Sequence, residues 1–260
     1  MSAPRTLFRY YGGKGILAPW IVGMLPAHRT YVEPFCGAAS VLFAKERSYA
    51  EVLNDKSAEV VNLFSILRDE ATADRLIEAV FLTPYSLDEY HSAYAYSEDP
   101  LERARRFLVR SAMGFFADSC NRANPIPGFR ADVRRRGGIS AHSFMRFPDR
   151  LRFFVDRLRG VVVHNMEALD IIRKYDRDDT LFYIDPPYVK QTRTQADHHQ
   201  YECDMDDREH ERLVDLCLGL QGRAVVSHYA HPIYDRLADA GWRIETRMVR
   251  GKEERLAIKD

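Results

Sequence analysis

The sequence predicts an α/β protein in which a mainly parallel sheet is interrupted by a mainly helical insertion. Three observations predict it. Residues 1–68 alternate short apolar runs with helical stretches, and residues 160–260 resume that alternation. Between them, residues 69–159 read first as helix and then as a Gly/Pro-punctuated, arginine-rich stretch. The expected organisation is therefore a sheet domain made of residues 1–68 and 160–260, with residues 69–159 as its insertion.

Each element has its own signal. Over 14–25, the residues Ile16, Leu17, Trp20, Ile21, Met24 and Leu25 share one helical face. A short strand over 30–35 runs into Cys36-Gly37-Ala38-Ala39-Ser40, and 41–45 reads as helix. A second strand over 49–53 ends at Asn54-Asp55, and a helix over 58–68 follows. This strand–turn–helix–strand–helix order opens a nucleotide-binding α/β sheet. Beyond the insertion, 161–164 and 181–184 are β-branched or aromatic runs. Asp206 or Asp207 can cap a helix whose apolar stripe is Leu213, Leu216, Cys217 and Leu220. Strands over 223–227 and 242–248 complete the pattern.

Charge is informative only when divided along the chain. The 38 basic and 38 acidic residues cancel, which at first speaks against a nucleic-acid partner. Residues 101–160, however, hold 14 Arg, no Lys and 5 acidic residues, a balance of +9. Residues 161–215 hold 14 acidic and 7 basic residues, a balance of −7. Arginine presents a planar fork of donors suited to phosphates and base edges. Those over 101–110 also fit a solvated helix face. The stretch 121–138 reads instead as a basic hairpin, with Asn121, Arg122, Arg130, Arg134, Arg135 and Arg136 as candidate DNA contacts.

Other classes are excluded early. Residues 1–14 contain no apolar signal core, and no apolar run approaches the roughly 20 residues that cross a bilayer. The four cysteines, Cys36, Cys120, Cys203 and Cys217, form no Cys-x-x-Cys pair, so neither a disulfide framework nor a zinc ribbon is expected. His198-His199 with Cys203 lies in a polar loop without further ligands, and no metal is expected. A reduced, cytoplasmic, monomeric protein is the expectation.

The chemistry concentrates in a few short motifs. Asp185-Pro186-Pro187-Tyr188 follows an apolar strand, where ligand loops of open sheets lie. Two prolines remove N–H donors and leave carbonyls free to accept. With a carboxylate and an aromatic face beside them, they suit a planar ring bearing an exocyclic amino group. Accepting both amino hydrogens, at Asp185 and the Pro186 carbonyl, favours a pyramidal nitrogen able to attack a methyl group, while Tyr188 stacks on the ring. The same tetrapeptide also fits a plain Pro-Pro turn. Gly37 lets a ligand approach the strand-to-helix turn closely, as an ordinary tight turn also would. Asp55 lies 18 residues beyond Gly37, near the ~20-residue spacing of an acidic ribose ligand, and it could equally cap the next helix. Tyr11-Gly12-Gly13-Lys14 is no phosphate loop, since Phe8 and Gly15 stand where that motif needs Gly and Ser or Thr. Lys14 at a helix start suits an anionic carboxylate. Cys36 reads as a buried filler, Ser227 lacks the Gly-x-Ser-x-Gly context of a hydrolase, and Met166 is equally explicable as core.

In this order the motifs resemble the Dam-like class of DNA adenine-N6 methyltransferases, especially its phage and prophage branch. The resemblance covers nearly the whole chain. It rests on Arg9-Tyr10-Tyr11-Gly12-Gly13-Lys14, Tyr31-Val32-Glu33-Pro34-Phe35 with Gly37, Asn54-Asp55, and the segment 181–188. It also takes in Tyr201-Glu202, the helix after Asp206, and Val225-Val226-Ser227-His228-Tyr229. The resemblance implies a class I S-adenosylmethionine-dependent methyltransferase sheet, Rossmann-like, with a target-recognition insertion carrying the basic hairpin. It implies S-adenosylmethionine as cofactor, double-stranded DNA as partner, and a bacterial cytoplasm, phage- or prophage-encoded chains included. Tyr10, Tyr11 and Lys14 would line the methionine side of the cofactor, with Glu33, Phe35 and Gly37 below it. Asp55 would hold the ribose, Asn165 and Met166 would flank the adenine of the cofactor, and Asp185 would touch both cofactor and target. The target adenine would be flipped into the Asp185–Tyr188 pocket.

Two departures stand out. Ala39 replaces a second glycine of many relatives, and the family's C-terminal ending appears here only as residues 253–258, without its tryptophan. The final strand is thus expected to be altered, with activity indifferent to it. Transfer to cytosine N4 or RNA adenine, or an idle DNA-binding regulator on the same fold, remain open alternatives from the residues alone.

Overall fold

Seven β-rich segments pair as expected of a half-buried α/β sheet. They are β1 (Thr30–Glu33), β2 (Ala50–Asn54), β3 (Val162–His164), β4 (Thr180–Ile184), β5 (Arg223–His228), β6 (Arg243–Val249) and β7 (Lys252–Lys259). The structure, a computed structural model, describes residues 6–115, 119–121, 126–132, 139–193, 203–249 and 251–260. The strand order is β3-β2-β1-β4-β5-β7-β6. The first five in that order are parallel to one another, and β7 runs antiparallel to both β5 and β6. This is the class I methyltransferase sheet that the resemblance implies.

The chain forms two units. One comprises Ile16–Cys36, Ala44–Ser57 and Gly160–Asp260 and carries the whole sheet, with α1 (Ala18–Val22), α9 (Ala168–Tyr175), α10 (Asp207–Leu218) and α11 (Pro232–Asp239). β4 is buried along its full length, as befits a central parallel strand. Val32, Phe182, Ile184, Ala224, Val226 and Ala257 build one core with Ile171, Ile172, Leu213, Val214, Cys217, Tyr234 and Leu237. Burying each large side chain of this kind is worth about 1.5–3 kcal/mol. Asp206 caps α10 in a reciprocal capping box with Glu209, while Leu220 packs in the core just beyond the helix end.

One expected element changes. The helix expected over 14–25 is only Ala18–Val22, because Pro19 is tolerated only within a first turn and the chain turns at Gly23. Lys14 therefore precedes the helix and does not start it. The C-terminal segment is a full strand, β7, with Leu256, Ala257 and Ile258 buried.

The other unit comprises Met1–Gly15, Gly37–Phe43 and Ala58–Arg159. It contains α2 (Ser40–Ala44), α3 (Ala58–Arg68), α4 (Glu70–Phe81), α5 (Leu87–Ser92), α6 (Pro100–Met113), α7 (Ser140–Met145) and α8 (Phe147–Leu158). Asp69, Ser86 and Asp99 cap α4, α5 and α6 with side-chain acceptors. Phe43 meets Phe154 edge-on at 4.7 Å, and Phe8 meets Phe107 at 4.9 Å, so aromatic packing joins α2, α8, α6 and the N-terminal arm. None of the described helices is long and apolar enough to cross a membrane.

Candidate active site

β4 delivers Asp185-Pro186-Pro187-Tyr188 at its C-terminal end, the ligand-binding end of a parallel sheet. Asp185 is half-buried, whereas Pro186, Pro187 and Tyr188 are buried. Tyr188 is held at three points. Its hydroxyl donates to the Glu254 carboxylate on β7, and its ring lies 4.3 Å from that of Tyr229. Its carbonyl accepts from the Arg193 guanidinium, with Nε at 2.7 Å, and Arg193 is paired with Asp204 at 2.6 Å. Burial, then the nearby Asp185 and Glu254 carboxylates, push the Tyr188 phenol well above its ordinary range, so it stays a neutral donor.

The ends of β1, β2 and β3 gather the second group of candidates in this unit. The register aligns Glu33 with Leu53 and Asn54 with His164, so the three strands finish side by side. Asn54 ties those ends together. Its amide donates to the Pro34 and Met166 carbonyls at 2.9 and 3.0 Å, and its oxygen accepts the Met166 N–H at 2.9 Å. Asn165 donates to the Asp55 carbonyl at 2.8 Å. Glu33, 1% exposed, accepts from the Tyr31 hydroxyl. Asp55 accepts the Ser57 N–H on one oxygen at 2.9 Å and faces the Cys36 thiol with the other. Phe35 is half-buried, and Met166, 38% exposed, is no core residue, which settles that alternative. Burial and the Asp55 charge push the Cys36 thiol up, leaving it an inert filler. Ser227 is buried, and its hydroxyl is hydrogen-bonded to that of Tyr183.

In the other unit, Tyr10, Tyr11, Lys14 and Gly37 stand on the N-terminal arm and the α2 turn. Arg9 anchors that arm to the end of α6. Its backbone exchanges bonds with the Ser111 hydroxyl, and its guanidinium donates to the Gly114 and Phe115 carbonyls. Gly37 has φ +45°, which favours glycine, and a Cβ there would press on the Tyr10 ring at 3.0 Å. Lys14 is buried and donates to the Gly12 carbonyl. Neither Arg9 nor Asn54 was singled out as a site residue from the sequence. Each acts through partners more than a hundred residues away.

The recognition candidates divide. Arg122, Arg134, Arg135 and Arg136 lie outside the described residues, as do His198 and His199. Asn121 is half-buried beside Cys120. Arg130 sits in an antiparallel pairing with its N–H on the Met113 carbonyl, and its own carbonyl accepts from Tyr85. The α6 arginines do not form a solvated face. Arg105 binds Glu89 and Glu102, Arg106 binds Glu102, and Arg103 reaches Asn62. Arg110 is fully buried between Glu59 and the carbonyls of Ala93 and Cys120.

A family model described as D12 class N6 adenine-specific DNA methyltransferase matches residues 10–240. The DNA N-6-adenine-methyltransferase of Escherichia phage P1 is 26% identical over 252 residues, covering 93% of this chain and 32% of that protein. The DNA adenine methylase of Vibrio cholerae serotype O1 (strain ATCC 39541 / Classical Ogawa 395 / O395) is 27% identical over 196 residues, covering 73% of this chain and 67% of that protein. That of Escherichia coli (strain K12) is 25% identical over 197 residues, with 73% and 66% covered. The chain thus spans about a third of the phage protein and about two thirds of the bacterial ones.

Proposed function

Because this chain belongs to the D12 class N6 adenine-specific DNA methyltransferase family, we propose that it methylates the N6 amino group of an adenine flipped out of duplex DNA. The observation that carries the reading is Asp185-Pro186-Pro187-Tyr188 at the end of β4, a partly accessible carboxylate beside prolines and a held aromatic ring.

The N6 lone pair of adenine is delocalised into the ring and is a poor nucleophile. The Asp185 carboxylate and the Pro186 carbonyl accept the two amino hydrogens and favour a pyramidal nitrogen. Tyr188 supplies the stacking face that orients the base. Orientation of this kind is a large share of what an enzyme contributes to a group transfer. The buried prolines and aromatic ring keep water from the amino group. The proton leaves to solvent after transfer.

The residues fit S-adenosylmethionine, which when bound supplies a methyl group on an electrophilic sulfonium. The fit rests on the positive φ of Gly37 and its closeness to the Tyr10 ring and, in the sheet unit, on the Asp55 carboxylate and the exposed Met166. Tyr10, Tyr11, Lys14, Glu33, Phe35 and Gly37 are assigned to the amino-acid part, Asp55 to the ribose, and Asn165 and Met166 to the adenine ring. Asn121, Arg122, Arg130, Arg134, Arg135 and Arg136 are assigned to the DNA.

The test incubates the protein with duplex DNA and methyl-labelled S-adenosylmethionine, then digests the DNA to nucleosides. Label in N6-methyladenine is the expected result. Label in N4-methylcytosine, or none from a folded protein that binds the cofactor, overturns the proposal.

A further inference from the structure

A carboxylate is an unexpected occupant of β7. Glu254 is 3% exposed, and the residues that follow it on the same face of the strand, Leu256 and Ile258, are apolar and buried. A strand serving only to cover the sheet would continue that apolar series, because burying a carboxylate is costly without a compensating partner. The partner here is the Tyr188 hydroxyl, which comes from the candidate tetrapeptide 66 residues away. The arrangement extends one layer further. Tyr229 packs its ring on Tyr188, and the Lys252 ammonium, two residues before Glu254, lies 5.1 Å over the Tyr229 ring. The start of β7 thus braces both aromatic rings beside Asp185. The placement follows from the topology, since β7 is inserted antiparallel next to β5, the strand that leads into Tyr229.

Resting on the proposed function, we propose that Glu254 is a positioning residue for methyl transfer. By accepting the Tyr188 hydroxyl, it holds the far end of the ring against which the flipped adenine stacks. The Arg193 contact holds the backbone end of the same residue, so the tyrosine is fixed at its carbonyl and at its phenol. A ring bonded at one end only can turn about its side-chain torsions, and a misaligned nitrogen loses rate although the base still binds. The effect should therefore fall on kcat. This runs against the sequence expectation that activity is indifferent to the C-terminal strand.

The experiment measures methyl transfer to duplex DNA by the wild type, Glu254→Gln, Glu254→Ala, Tyr188→Phe and the Glu254→Ala/Tyr188→Phe pair. Cofactor affinity is measured separately by calorimetry. Glu254→Ala should lower kcat by about ten- to a hundredfold, as loss of a hydrogen bond to a charged group does. KM for DNA and the cofactor Kd should stay within about threefold, as interactions made only in the transition state require. Glu254→Gln keeps an acceptor and should recover most of kcat. Tyr188→Phe should match Glu254→Ala, and the pair should be no slower than the slower single variant. If Glu254→Ala does not fold, Glu254→Leu, matched to Leu256, takes its place with the same expectation. Unchanged kcat in Glu254→Ala, equal defects in the Gln and Ala variants, or additive defects in the pair overturn the inference alone. A folded wild type without transfer overturns the proposed function and this inference together.

Discussion

Asn54 and Met166, 112 residues apart, are joined by reciprocal hydrogen bonds: the Asn54 side chain accepts the Met166 N–H and donates to the Met166 carbonyl. A third bond to the Pro34 carbonyl makes this one side chain the tie between the ends of β1, β2 and β3. Those ends carry Glu33, Phe35, Asp55, Asn165 and Met166. Asn54→Ala should cost about 1–3 kcal/mol of stability, since it takes the side-chain partner from the buried Pro34 carbonyl and from the part-buried Met166 N–H and carbonyl. Cofactor Kd should rise by about tenfold or more. Calorimetry on the folded variant checks this, and an unchanged Kd would remove the tie from the account of the cofactor site.

Ala39 is the only described non-glycine residue at positive φ, +49°, and it is fully buried. A left-handed conformation costs an L-residue about 1–2 kcal/mol, and glycine avoids that cost while adding about 0.4–1 kcal/mol of chain entropy in the unfolded state. Ala39→Gly should therefore stabilise the protein by about 0.5–1 kcal/mol in urea denaturation. Destabilisation would mean that packing of the methyl group outweighs the backbone strain.

Two buried histidines make stability depend on pH. Burial lowers His210 and His228 to about 4, and each leaves Nε2 without a hydrogen-bond partner, so protonation would place a charge in an apolar setting. Unfolded, each titrates at about 6.5. The unfolded chain thus binds the proton first, and stability present above pH 6.5 is lost as pH falls toward 4. The loss between pH 7 and pH 5 should be about 2 kcal/mol for each histidine. His228→Phe, which retains a ring to stack on Tyr234 at 4.8 Å, should remove one share of that slope. Chemical denaturation at the two pH values measures it, and an unchanged slope would show that His228 is already charged or accessible in the native state.

The two kinds of arginine should separate in a salt titration. Replacing Arg134, Arg135 and Arg136 with Ala should reduce the dependence of DNA affinity on log salt by about 2–3, at ~0.9 per phosphate contact. Arg110→Ala should leave that dependence unchanged. It should instead cost about 3–5 kcal/mol of stability, because Glu59 loses the buried guanidinium and the Ala93 and Cys120 carbonyls lose these donors. A salt slope that falls equally in both variants would contradict the division.

Much of the sheet was legible because its signals are local. α3 occupies Ala58–Arg68 as read, since Val60, Leu63, Phe64 and Leu67 recur at helical spacing and all are buried. The tetrapeptide was legible because an apolar strand delivers it directly. The overlong reading of α1 came from following apolar spacing through Pro19. The α6 arginines were illegible for a different reason. Their meaning depends on partners such as Glu59, 51 residues from Arg110, and no local pattern distinguishes a buried ion pair from a solvated face. Glu254 is the same case, because in sequence it is one charge among several at 252–255 and only the strand order brings it to Tyr188.

The central claim is that the Asp185 carboxylate activates an adenine amino group. The most direct measurement is nucleoside mass spectrometry on DNA from cells expressing either the wild type or Asp185→Ala, in a host lacking adenine methylation. The wild type should yield N6-methyladenine and the variant at least about a hundredfold less, while the variant should still fold and bind the cofactor. Undiminished N6-methyladenine from Asp185→Ala, or methylcytosine in place of N6-methyladenine from the wild type, would contradict the claim.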